Sequence, residues 1–353
     1  MSAKLVLEDG SEFPGTGFGA DASVSGEVVF NTGMVGYPES LTDPSYKGQI
    51  LVLTYPLIGN YGVPGEEKDE FGLLNFFESE KIQASGLIIS DYTEKYSHWN
   101  AKKSLDAWMK EHNIPGIYGI DTRMLTKKLR EKGVMLGKII NAEDVQLEDP
   151  NTRNLAAEVS VKERIVYNKG GSKKVVLVDC GAKLNIIRCL VQRGCEVIRV
   201  PWDHDFFNEE FDGLLISNGP GDPKMCTATI NNIRKALEKN IPTMGICLGN
   251  QLLALAAGAN TYKLKYGHRS QNQPCIEKGT KKCIITTQNH GFAVDAKTLP
   301  EGWEEWFVNA NDGTNEGIRH KTKPFLSFQA HPEATPGPVD AEFIFDKFME
   351  LIK

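Results

Sequence analysis

The feature that most constrains the fold is a short segment of small and apolar residues in the second half of the chain. Residues 245–251 read Gly-Ile-Cys-Leu-Gly-Asn-Gln, and the apolar run 241–244 precedes them. Residues 251–257 are strong helix formers, and Gly258 is a typical helix end. This order predicts a buried strand that turns tightly at Cys247 and continues as a helix.

The pattern Gly-x-Cys-x-Gly is typical of a nucleophile elbow, with cysteine in place of the more familiar serine. Gly245 and Gly249 allow strand and helix to cross closely, so the sulfur of Cys247 is exposed at a strained turn. The N-terminus of the following helix favours a thiolate, and the N–H of Leu248 points towards the position of an oxyanion. The alternative is an ordinary buried cysteine in a β–α turn. The flanking glycines and the polar start of the helix favour the elbow.

Strands and helices alternate through much of the second half, which predicts an α/β fold with a mostly parallel sheet and helices on both faces. Strands are predicted at 175–179, 196–200 and 214–216, and helices at 183–192, 230–239 and 340–352. Residues 261–328 lack this rhythm and indicate antiparallel strands and loops. Ligands of such sheets bind at the carboxyl ends of the strands, where the elbow and the loop 217–223 both lie.

The first half mixes strands and helices without a regular order, which predicts a smaller α/β domain of undetermined topology. Strands are expected at 4–7, 26–30, 49–53 and 84–90, and helices at 66–80, 104–112 and 121–130. The polar stretch 151–172 predicts a linker region, with Gly170 and Gly171 as the break. We therefore expect an N-terminal domain at 1–150 and a C-terminal domain at 173–353.

Length and composition define the class of protein. A chain of 353 residues with 41% hydrophobic and 24% charged residues predicts two globular domains. The net charge of −6 argues against nucleic-acid binding, and no apolar run reaches the length of a membrane span. The seven cysteines all lie in the second half, without a C-x-x-C pair, which fits neither disulfides nor a zinc site. We expect no metal, no leader segment in the chain as given, and a cytoplasmic location. The mitochondrial matrix is the alternative if a transit peptide was removed.

A cysteine nucleophile needs a base, and His331 is the best candidate among the seven histidines. It ends an apolar segment, and Glu333 follows two residues later, on the same side of an extended chain. Pro332 restricts the backbone between them. One ring nitrogen can then hold the carboxylate while the other takes the proton of Cys247. His290 is the rival base, but no carboxylate stands at a useful spacing from it.

Two polar segments can complete the site. The loop 217–223, Ser-Asn-Gly-Pro-Gly-Asp-Pro, can offer a second N–H to an oxyanion, because Gly219 and Gly221 let its backbone approach a ligand. These glycines also let a peptide plane flip at little cost, so we expect a partner to gate the site through this loop. Alternatively, the loop is a simple glycine–proline turn. The segment 288–292, Gln-Asn-His-Gly-Phe, can bind a substrate amide or an α-amino acid group.

These motifs resemble those of triad (class I) glutamine amidotransferases: Gly-Ile-Cys247-Leu-Gly-x-Gln251, Asn-Gly219-Pro-Gly221-Asp-Pro and His331-Pro-Glu333. Segments 33–39, 42–49 and 119–123 of the first half indicate one particular family among these amidotransferases. They are similar to the glutaminase small subunit or domain of carbamoyl-phosphate synthetase, and the resemblance extends over essentially the full chain.

The resemblance implies hydrolysis of L-glutamine to glutamate and ammonia. The ammonia would pass to a synthetase large subunit or fused domain, which would use ATP, Mg and bicarbonate. No cofactor, nucleic acid or membrane is implied for this chain. Cys247 becomes the nucleophile, His331 the base and Glu333 its orienting group, and Leu248 and Gly219 become oxyanion donors. The full set of residues expected around the glutamine is Ser45, Gly219, Gly221, Leu248, Gln251, Asn289, Gly291 and Phe292. Because Ser45 belongs to the first half, the resemblance places the site where the domains meet.

Two positions depart from the family pattern. Asn250 stands where the elbow usually has histidine, and Ala330 stands where phenylalanine is usual. Asparagine at the first position is shared with ammonia-dependent urea-cycle relatives, which lack the nucleophilic cysteine. Retention of Cys247 therefore predicts a glutamine-competent chain.

Two other functions compete with this interpretation. A hydrolase of esters or lactones on the α/β-hydrolase fold places its acid between nucleophile and histidine in chain order, whereas Glu333 follows His331. A regulatory or scaffolding domain bound to the synthetase would have no need of Cys247 in an elbow. Both features favour the glutaminase.

Overall fold

The computed structural model describes residues 2–352, and their contacts divide the chain into two units. The first unit extends to Thr152 and the second begins at Arg153. Each unit has a main sheet of its own and buried apolar side chains around it.

The first unit contains strands, short helices and long loops. Its strands are β1 (Ser2–Leu7), β2 (Glu12–Gly19), β3 (Val24–Asn31), β4 (Gln49–Leu53), β5 (Leu57–Ile58), β6 (Val63–Pro64), β7 (Gly86–Ile88), β8 (Asp91–Tyr92), β9 (Ala101–Lys103), β10 (Pro115–Tyr118) and β11 (Met135–Ile140). Its helices are α1 (Tyr37–Thr42), α2 (Leu105–Glu111) and α3 (Thr122–Lys132).

Seven of these strands close into a barrel in the order β1-β11-β3-β4-β7-β10-β2. The pairs from β3 to β10 are parallel, and the other pairs are antiparallel. Alternate residues of β1, among them Leu5 and Leu7, are buried, as expected for the inner face of a barrel strand. The sequence predicted most of these strands but not their closure.

Residues 66–80, predicted as a helix, form turns and short bridges instead. The carboxylate of Asp69 accepts hydrogen bonds from the N–H groups of Phe71 and Leu73, each at 2.9 Å. Gly72 has a φ of +79°, which is outside the helical region. An aspartate that binds the N–H groups of the next residues stabilises a turn in competition with a helix.

The second unit contains the sheet predicted around the elbow. Its strands are β12 (Ile165–Tyr167), β13 (Lys173–Asp179), β14 (Cys195–Pro201), β15 (Gly213–Ile216), β16 (Thr243–Ile246), β17 (Asn260–Glu277), β18 (Cys283–Asp295), β19 (Trp303–Asn309), β20 (Asn315–His320) and β21 (Phe325–Phe328). Its helices are α4 (Leu155–Val159), α5 (Leu184–Gln192), α6 (Thr227–Glu238), α7 (Leu248–Ala257) and α8 (Phe343–Leu351).

Within residues 153–352 these strands form a ten-stranded sheet in the order β12-β14-β13-β15-β16-β21-β20-β19-β17-β18. The run from β14 to β21 is parallel, and the run from β21 to β18 is antiparallel. The predicted α/β class is confirmed, including the antiparallel character of residues 261–328. Because β13, β15, β16 and β21 are parallel neighbours, their carboxyl ends meet at one edge of the sheet.

Most of the stretch predicted as a linker, residues 151–172, is part of the second unit. It includes α4 and the edge strand β12, which pairs with β14. Between them the N–H of Val161 donates to the buried carboxylate of Asp179 at 2.8 Å. The charged residues that gave this stretch its polar character, Lys162, Glu163 and Arg164, are exposed just before β12, which is itself the apolar triplet Ile165–Tyr167. The boundary falls after Thr152 and not at Gly170.

The helices are short. The longest among residues 2–352 is α6, whose 12 residues span about 18 Å. None of the helices in this described part is both long and apolar enough to cross a membrane.

Candidate active site

Cys247 joins β16 to α7 with a φ of 54°, a left-handed value that residues other than glycine rarely adopt. The turn is possible because its glycines have no side chains. A Cβ on Gly245 would overlap the carbonyl group of Gly249, and one on Gly249 would overlap the carbonyl group of Ile216. The strand and the helix therefore touch through their backbones, and Cys247 stands at the carboxyl edge of the sheet. The residue is only 2% exposed, so the prediction from sequence of an exposed sulfur is wrong.

His331 follows the end of β21, the strand next to β16. Its Nδ1 lies 2.6 Å from Oε1 of Glu333, and both residues are buried. The N–H of His331 donates to the carbonyl oxygen of Thr287 at 2.9 Å, which holds the backbone against β18. The sequence predicted an extended segment between the two side chains, whereas Pro332 and Glu333 form a turn. Nε2 of His331 has no hydrogen-bond partner among residues 2–352 and is the nitrogen left for Cys247.

Lys183, a charged residue of the site, was not recognised in the sequence. It follows β13, and its Nζ lies 3.1 Å from Oε1 of Glu333, with 2% of the Lys183 side chain exposed. The same Nζ donates to the carbonyl oxygen of Ala334. In the sequence, Lys183 marks only the start of the helix predicted at 183–192. Its place just after a parallel strand is the signal that could have identified it.

The charges around this cluster determine its protonation. Burial alone would raise the pKa of Glu333, but the charges of Lys183 and His331 lower that pKa well below its usual range. Burial alone would lower the pKa of His331, but the negative charges of Glu333 and Cys247 raise it. The arrangement therefore favours an ionised carboxylate and a positively charged imidazole at neutral pH.

His290, the rival base, is held away from that role by its own hydrogen bonds. Its Nδ1 lies 2.8 Å from the carbonyl oxygen of Phe292, and its Nε2 lies 3.0 Å from Oε1 of Gln288. Burial, together with the charge of His268, lowers the pKa of His290 well below its usual range. Both ring nitrogens are occupied, so His331 is the better placed base.

His290 also belongs to a buried cluster with His268 and Glu316 whose ligand atoms lie within 4.8 Å of one another. Such a set could in principle hold a metal ion. However, Nε2 of His268 lies 2.8 Å from a carboxylate oxygen of Asp312, and its Nδ1 faces Glu316 at 3.4 Å. Glu316 also accepts a hydrogen bond from Asn309 at 2.9 Å. These contacts fit a network of hydrogen bonds and ion pairs better than a metal centre.

Several residues predicted to bind glutamine meet beside the elbow. The side-chain amide of Gln251 donates to the carbonyl oxygen of Phe292 at 2.8 Å. Sγ of Cys247 lies 3.8 Å from the carbonyl oxygen of Asn289. Gly291 lies between Asn289 and Phe292 on β18. The structure therefore brings this part of β18 to the first turn of α7.

The two departures from the family pattern are both fully buried. Nδ2 of Asn250 donates to Oε1 of Gln329 at 3.0 Å, and its Oδ1 accepts from the hydroxyl of Ser327 at 2.7 Å. The same Oε1 of Gln329 accepts from Gln251 at 3.1 Å. Asn250 thus helps to hold Gln251, while Ala330 contributes a small, fully buried side chain.

The loop after β15 lies against the elbow. A Cβ on Gly219 would overlap the carbonyl oxygen of Cys180 and lie 2.8 Å from Cδ2 of Leu248. Gly221 has a φ of +86°, and a Cβ on it would lie 3.3 Å from Cβ of Leu155 in α4. Only glycine fits the close approach at position 219. The backbone of this loop is therefore adjacent to Leu248, the first residue of α7.

Ser45 belongs to the first unit. It is buried in the 3-10 turn Pro44–Tyr46, and its N–H donates to the carboxylate of Asp43 at 2.9 Å. Its role in binding glutamine stays a prediction.

The parallel sheet, the cysteine at a strained strand–helix turn and the buried histidine–carboxylate pair define a class of enzyme. This class attacks carbonyl carbon through a thiolate and a positioned imidazole. Residues 176–351 match the family model described as "Glutamine amidotransferase class-I". Residues 5–139 match the one described as "Carbamoyl-phosphate synthase small chain, CPSase domain".

Known relatives match over the whole chain. "Multifunctional protein CAD" of Squalus acanthias is 57% identical over 357 residues, which cover 99% of this chain and 16% of that protein. "Carbamoyl-phosphate synthase [ammonia], mitochondrial" of Homo sapiens is 54% identical over 357 residues, which cover 100% of this chain and 24% of that protein. The chain thus spans about a quarter or less of the length of these relatives. It belongs to the carbamoyl-phosphate synthase small-chain family and contains a class I glutamine amidotransferase domain.

Proposed function

We propose that this chain hydrolyses L-glutamine to L-glutamate and ammonia. The observation that carries the proposal is the position of Cys247 at the elbow, close enough to His331 to raise the pKa of its imidazole, while that imidazole is bonded to the buried carboxylate of Glu333. A thiolate at this place can attack the side-chain amide carbon of glutamine. His331, held by Glu333, can then supply and recover the proton.

The first half-reaction forms a thioester. The thiolate of Cys247 bonds to the amide carbon, and the carbonyl oxygen becomes an oxyanion. The N–H groups of Leu248 and Gly219 stabilise this oxyanion. The imidazolium of His331 gives its proton to the amide nitrogen as the carbon–nitrogen bond breaks, so that ammonia leaves.

The second half-reaction releases glutamate. His331, now neutral, takes a proton from water as the water oxygen bonds to the thioester carbon. The resulting oxyanion collapses, the carbon–sulfur bond breaks, and the thiolate of Cys247 is restored with a protonated His331. Glu333 keeps the ring in one tautomer through both steps.

Glutamine itself would lie between the elbow and β18. The side-chain amide of Gln251, already bonded to Phe292, leaves its oxygen for the α-ammonium group of the substrate. Asn289 and Gly291 lie on the same strand, and Gly221 lies on the loop after β15. The resemblance alone adds Ser45 to this set.

We also propose that the ammonia passes to a carbamoyl-phosphate synthetase large subunit or fused domain. The lengths and names of the relatives support this partner. ATP, Mg and bicarbonate would be used there, and the chemistry given above needs no cofactor in this chain.

The cysteines of the described chain are all free, and a reducing compartment suits them. We propose that the chain is located in the cytoplasm, or in the mitochondrial matrix if a leader is removed.

The test is glutamine hydrolysis by the full chain, measured as glutamate and ammonia released. Cys247→Ala is expected to lower kcat by at least about a thousandfold, because the nucleophile is lost. Cys283→Ser is the control, since Cys283 is an exposed free cysteine outside the site. Comparable activity of Cys247→Ala and the unsubstituted chain would refute the proposal, as would a preference for activated esters over glutamine.

A further inference from the structure

The hydroxyl of Ser217, the first residue after β15, makes two hydrogen bonds in a fully buried position. Its Oγ accepts from the N–H of Cys180 at 2.9 Å. The same Oγ donates to the carbonyl oxygen of Asn218 at 2.7 Å. Because an N–H can only donate, the single hydroxyl proton is directed to the Asn218 carbonyl.

The second hydrogen bond controls the orientation of a peptide plane. In a trans peptide the carbonyl of one residue and the N–H of the next point to opposite sides. The Asn218 carbonyl is held on the side of Ser217 and Cys180, so the N–H of Gly219 points away from them. The Cys180 carbonyl and the side chain of Leu248 also pack against Gly219 where a Cβ would stand, so that no larger residue fits there.

We propose that Ser217 is a positioning residue for the oxyanion: its hydroxyl holds the Asn218–Gly219 peptide with the Gly219 N–H directed at the reaction centre beside Cys247. This inference rests on the proposed function, in which that N–H stabilises the oxyanion. Ser217 itself does not touch the substrate and acts through the peptide that it holds.

The same dipeptide is bonded to the charged part of the site. The side-chain oxygen of Asn218 accepts from the N–H of Lys183 at 3.1 Å. Cys180 and Lys183 lie on one turn after β13, so Ser217 and Asn218 connect this turn to the loop. The oxyanion donor and the cation that pairs with Glu333 are thus held by one set of hydrogen bonds.

This finding revises the expectation that the two glycines leave the loop free to flip. A flip of the Asn218–Gly219 peptide would break the bond to Ser217 and leave a buried donor and a buried acceptor unpaired. The active orientation is therefore the bonded one, and a flip requires the loss of that bond.

The test compares Ser217→Ala with Ser217→Thr in the full chain. Ser217→Ala is expected to lower kcat for glutamine hydrolysis by about a hundredfold, the usual effect of losing one oxyanion donor. KM is expected to stay within about twofold, because the oxyanion forms only during reaction. Ser217→Thr keeps the hydroxyl and is expected to recover most of the rate. Ser217→Cys conserves shape with a poor donor, and provides the same comparison if the alanine variant does not fold.

Alkylation of Cys247 by iodoacetamide separates positioning from general damage. In this reaction the thiolate displaces iodide at a saturated carbon, so no oxyanion forms. The alkylation rate, followed by mass spectrometry of the peptide that contains Cys247, is expected to be equal in Ser217→Ala and the unsubstituted chain. A fall in alkylation that matches the fall in kcat would mean that the site is simply distorted, and would overturn the inference.

Ser160 provides a matched control. It is also buried, its hydroxyl donates to the carbonyl of the next residue, Val161, at 3.2 Å, and it accepts from the N–H of Trp202 at 3.0 Å. Ser160→Ala removes the same kind of bonds outside the site and is expected to leave kcat within about twofold.

The outcomes distinguish this inference from the function on which it rests. A kcat of Ser217→Ala within about threefold of the unsubstituted chain, or an equal loss in Ser160→Ala, would overturn the role of Ser217 alone. Absence of glutamine hydrolysis in the unsubstituted chain, with Cys247 normally alkylated, would overturn the proposed function as well.

Discussion

At the scale of single residues, the buried charge of Lys183 is the most informative feature. A lysine in this position is costly unless it has a partner, and Glu333 supplies the opposite charge at 3.1 Å. The carboxylate is in turn bonded to His331. Lys183 therefore helps to keep Glu333 ionised and ready to orient the imidazole.

Lys183→Met is expected to destabilise the protein by about 3 to 5 kcal/mol, because it leaves a buried carboxylate with one partner fewer. Urea unfolding at pH 7 measures this loss. Lys347→Met is the control, since Lys347 pairs with Glu350 on the surface, with 50% and 62% of the side chains exposed. That change is expected to cost less than about 1 kcal/mol. Equal effects of the two substitutions would show that Lys183 is not held as an ion pair.

At the scale of elements, the turn between β16 and α7 depends on glycine at 249. A methyl group there would overlap the Ile216 carbonyl on the neighbouring strand β15. Backbone atoms cannot move aside as a flexible side chain can, so the strand and the helix would have to separate. The position of Cys247 would move with them.

Gly249→Ala is expected to destabilise the second unit by at least about 2 kcal/mol and to lower glutamine hydrolysis. Gly279→Ala is the matched control, because a Cβ there meets open space and the cost comes only from its φ of +80°. That cost is about 1 kcal/mol. Urea unfolding of both variants provides the comparison, and a smaller loss for Gly249→Ala would contradict the close crossing.

The strands β17 and β20 are joined by His268, which faces the carboxylates of Glu316 and Asp312. Burial alone would lower the pKa of His268, but these two carboxylates raise it above its usual value. A raised pKa stabilises the fold fully below the unfolded value of 6.5, and this contribution is lost as the pH rises through the folded pKa.

His268→Gln is therefore expected to destabilise the protein more at about pH 6 than at about pH 9. His320 provides a control of opposite sign, because burial and the charge of Lys323 lower its pKa. The unfolding free energy of the unsubstituted chain minus that of His320→Gln is expected to increase as the pH rises through 6.5. The measurement is the unfolding free energy of each variant between about pH 6 and pH 9. A pH-independent effect of His268→Gln would contradict a charged His268.

At the scale of the whole molecule, the boundary between the two units determines which pieces fold. The segment 153–172 supplies α4, β12 and the Val161 N–H that bonds Asp179. Asp179 also pairs with Arg199 at 2.9 Å, and its other carboxylate oxygen holds the N–H groups of Gly181 and Ala182. This segment therefore supports the turn that leads to Lys183.

A chain of residues 153–353 is expected to unfold cooperatively on its own, whereas one of residues 173–353 is expected to melt at lower temperature or to aggregate. The shorter chain exposes the edge of β14 and removes a bond to a buried carboxylate. Thermal unfolding followed by circular dichroism makes the comparison. Identical melting temperatures would mean that the segment is a true linker.

The sequence was informative where chemistry depends on near neighbours in the chain. The glycine spacing around Cys247 and the His331-Pro-Glu333 order are local patterns. The elbow and the His331–Glu333 pair could therefore be predicted from the sequence alone. Lys183 and Ser217 both follow parallel strands, which indicates that they lie near the site, but their partners are far away in sequence and could not be predicted. Barrel closure and the edge strand β12 escaped prediction for the same reason, since strand pairing joins residues that are far apart in sequence.

The closed barrel of the first unit has a consequence for the order of folding. Strand β1 pairs with β11, and Lys4 lies opposite Ile140, so the first and last strands of the unit are neighbours in the sheet. During synthesis, β1 and β3 each have an unpaired edge until Met135 and the residues after it leave the ribosome, because β11 pairs with both. Such distant pairing slows folding and makes it depend on the completed chain. A nascent chain that stalls before β11 would expose two sheet edges at once, which makes it a natural client for chaperones.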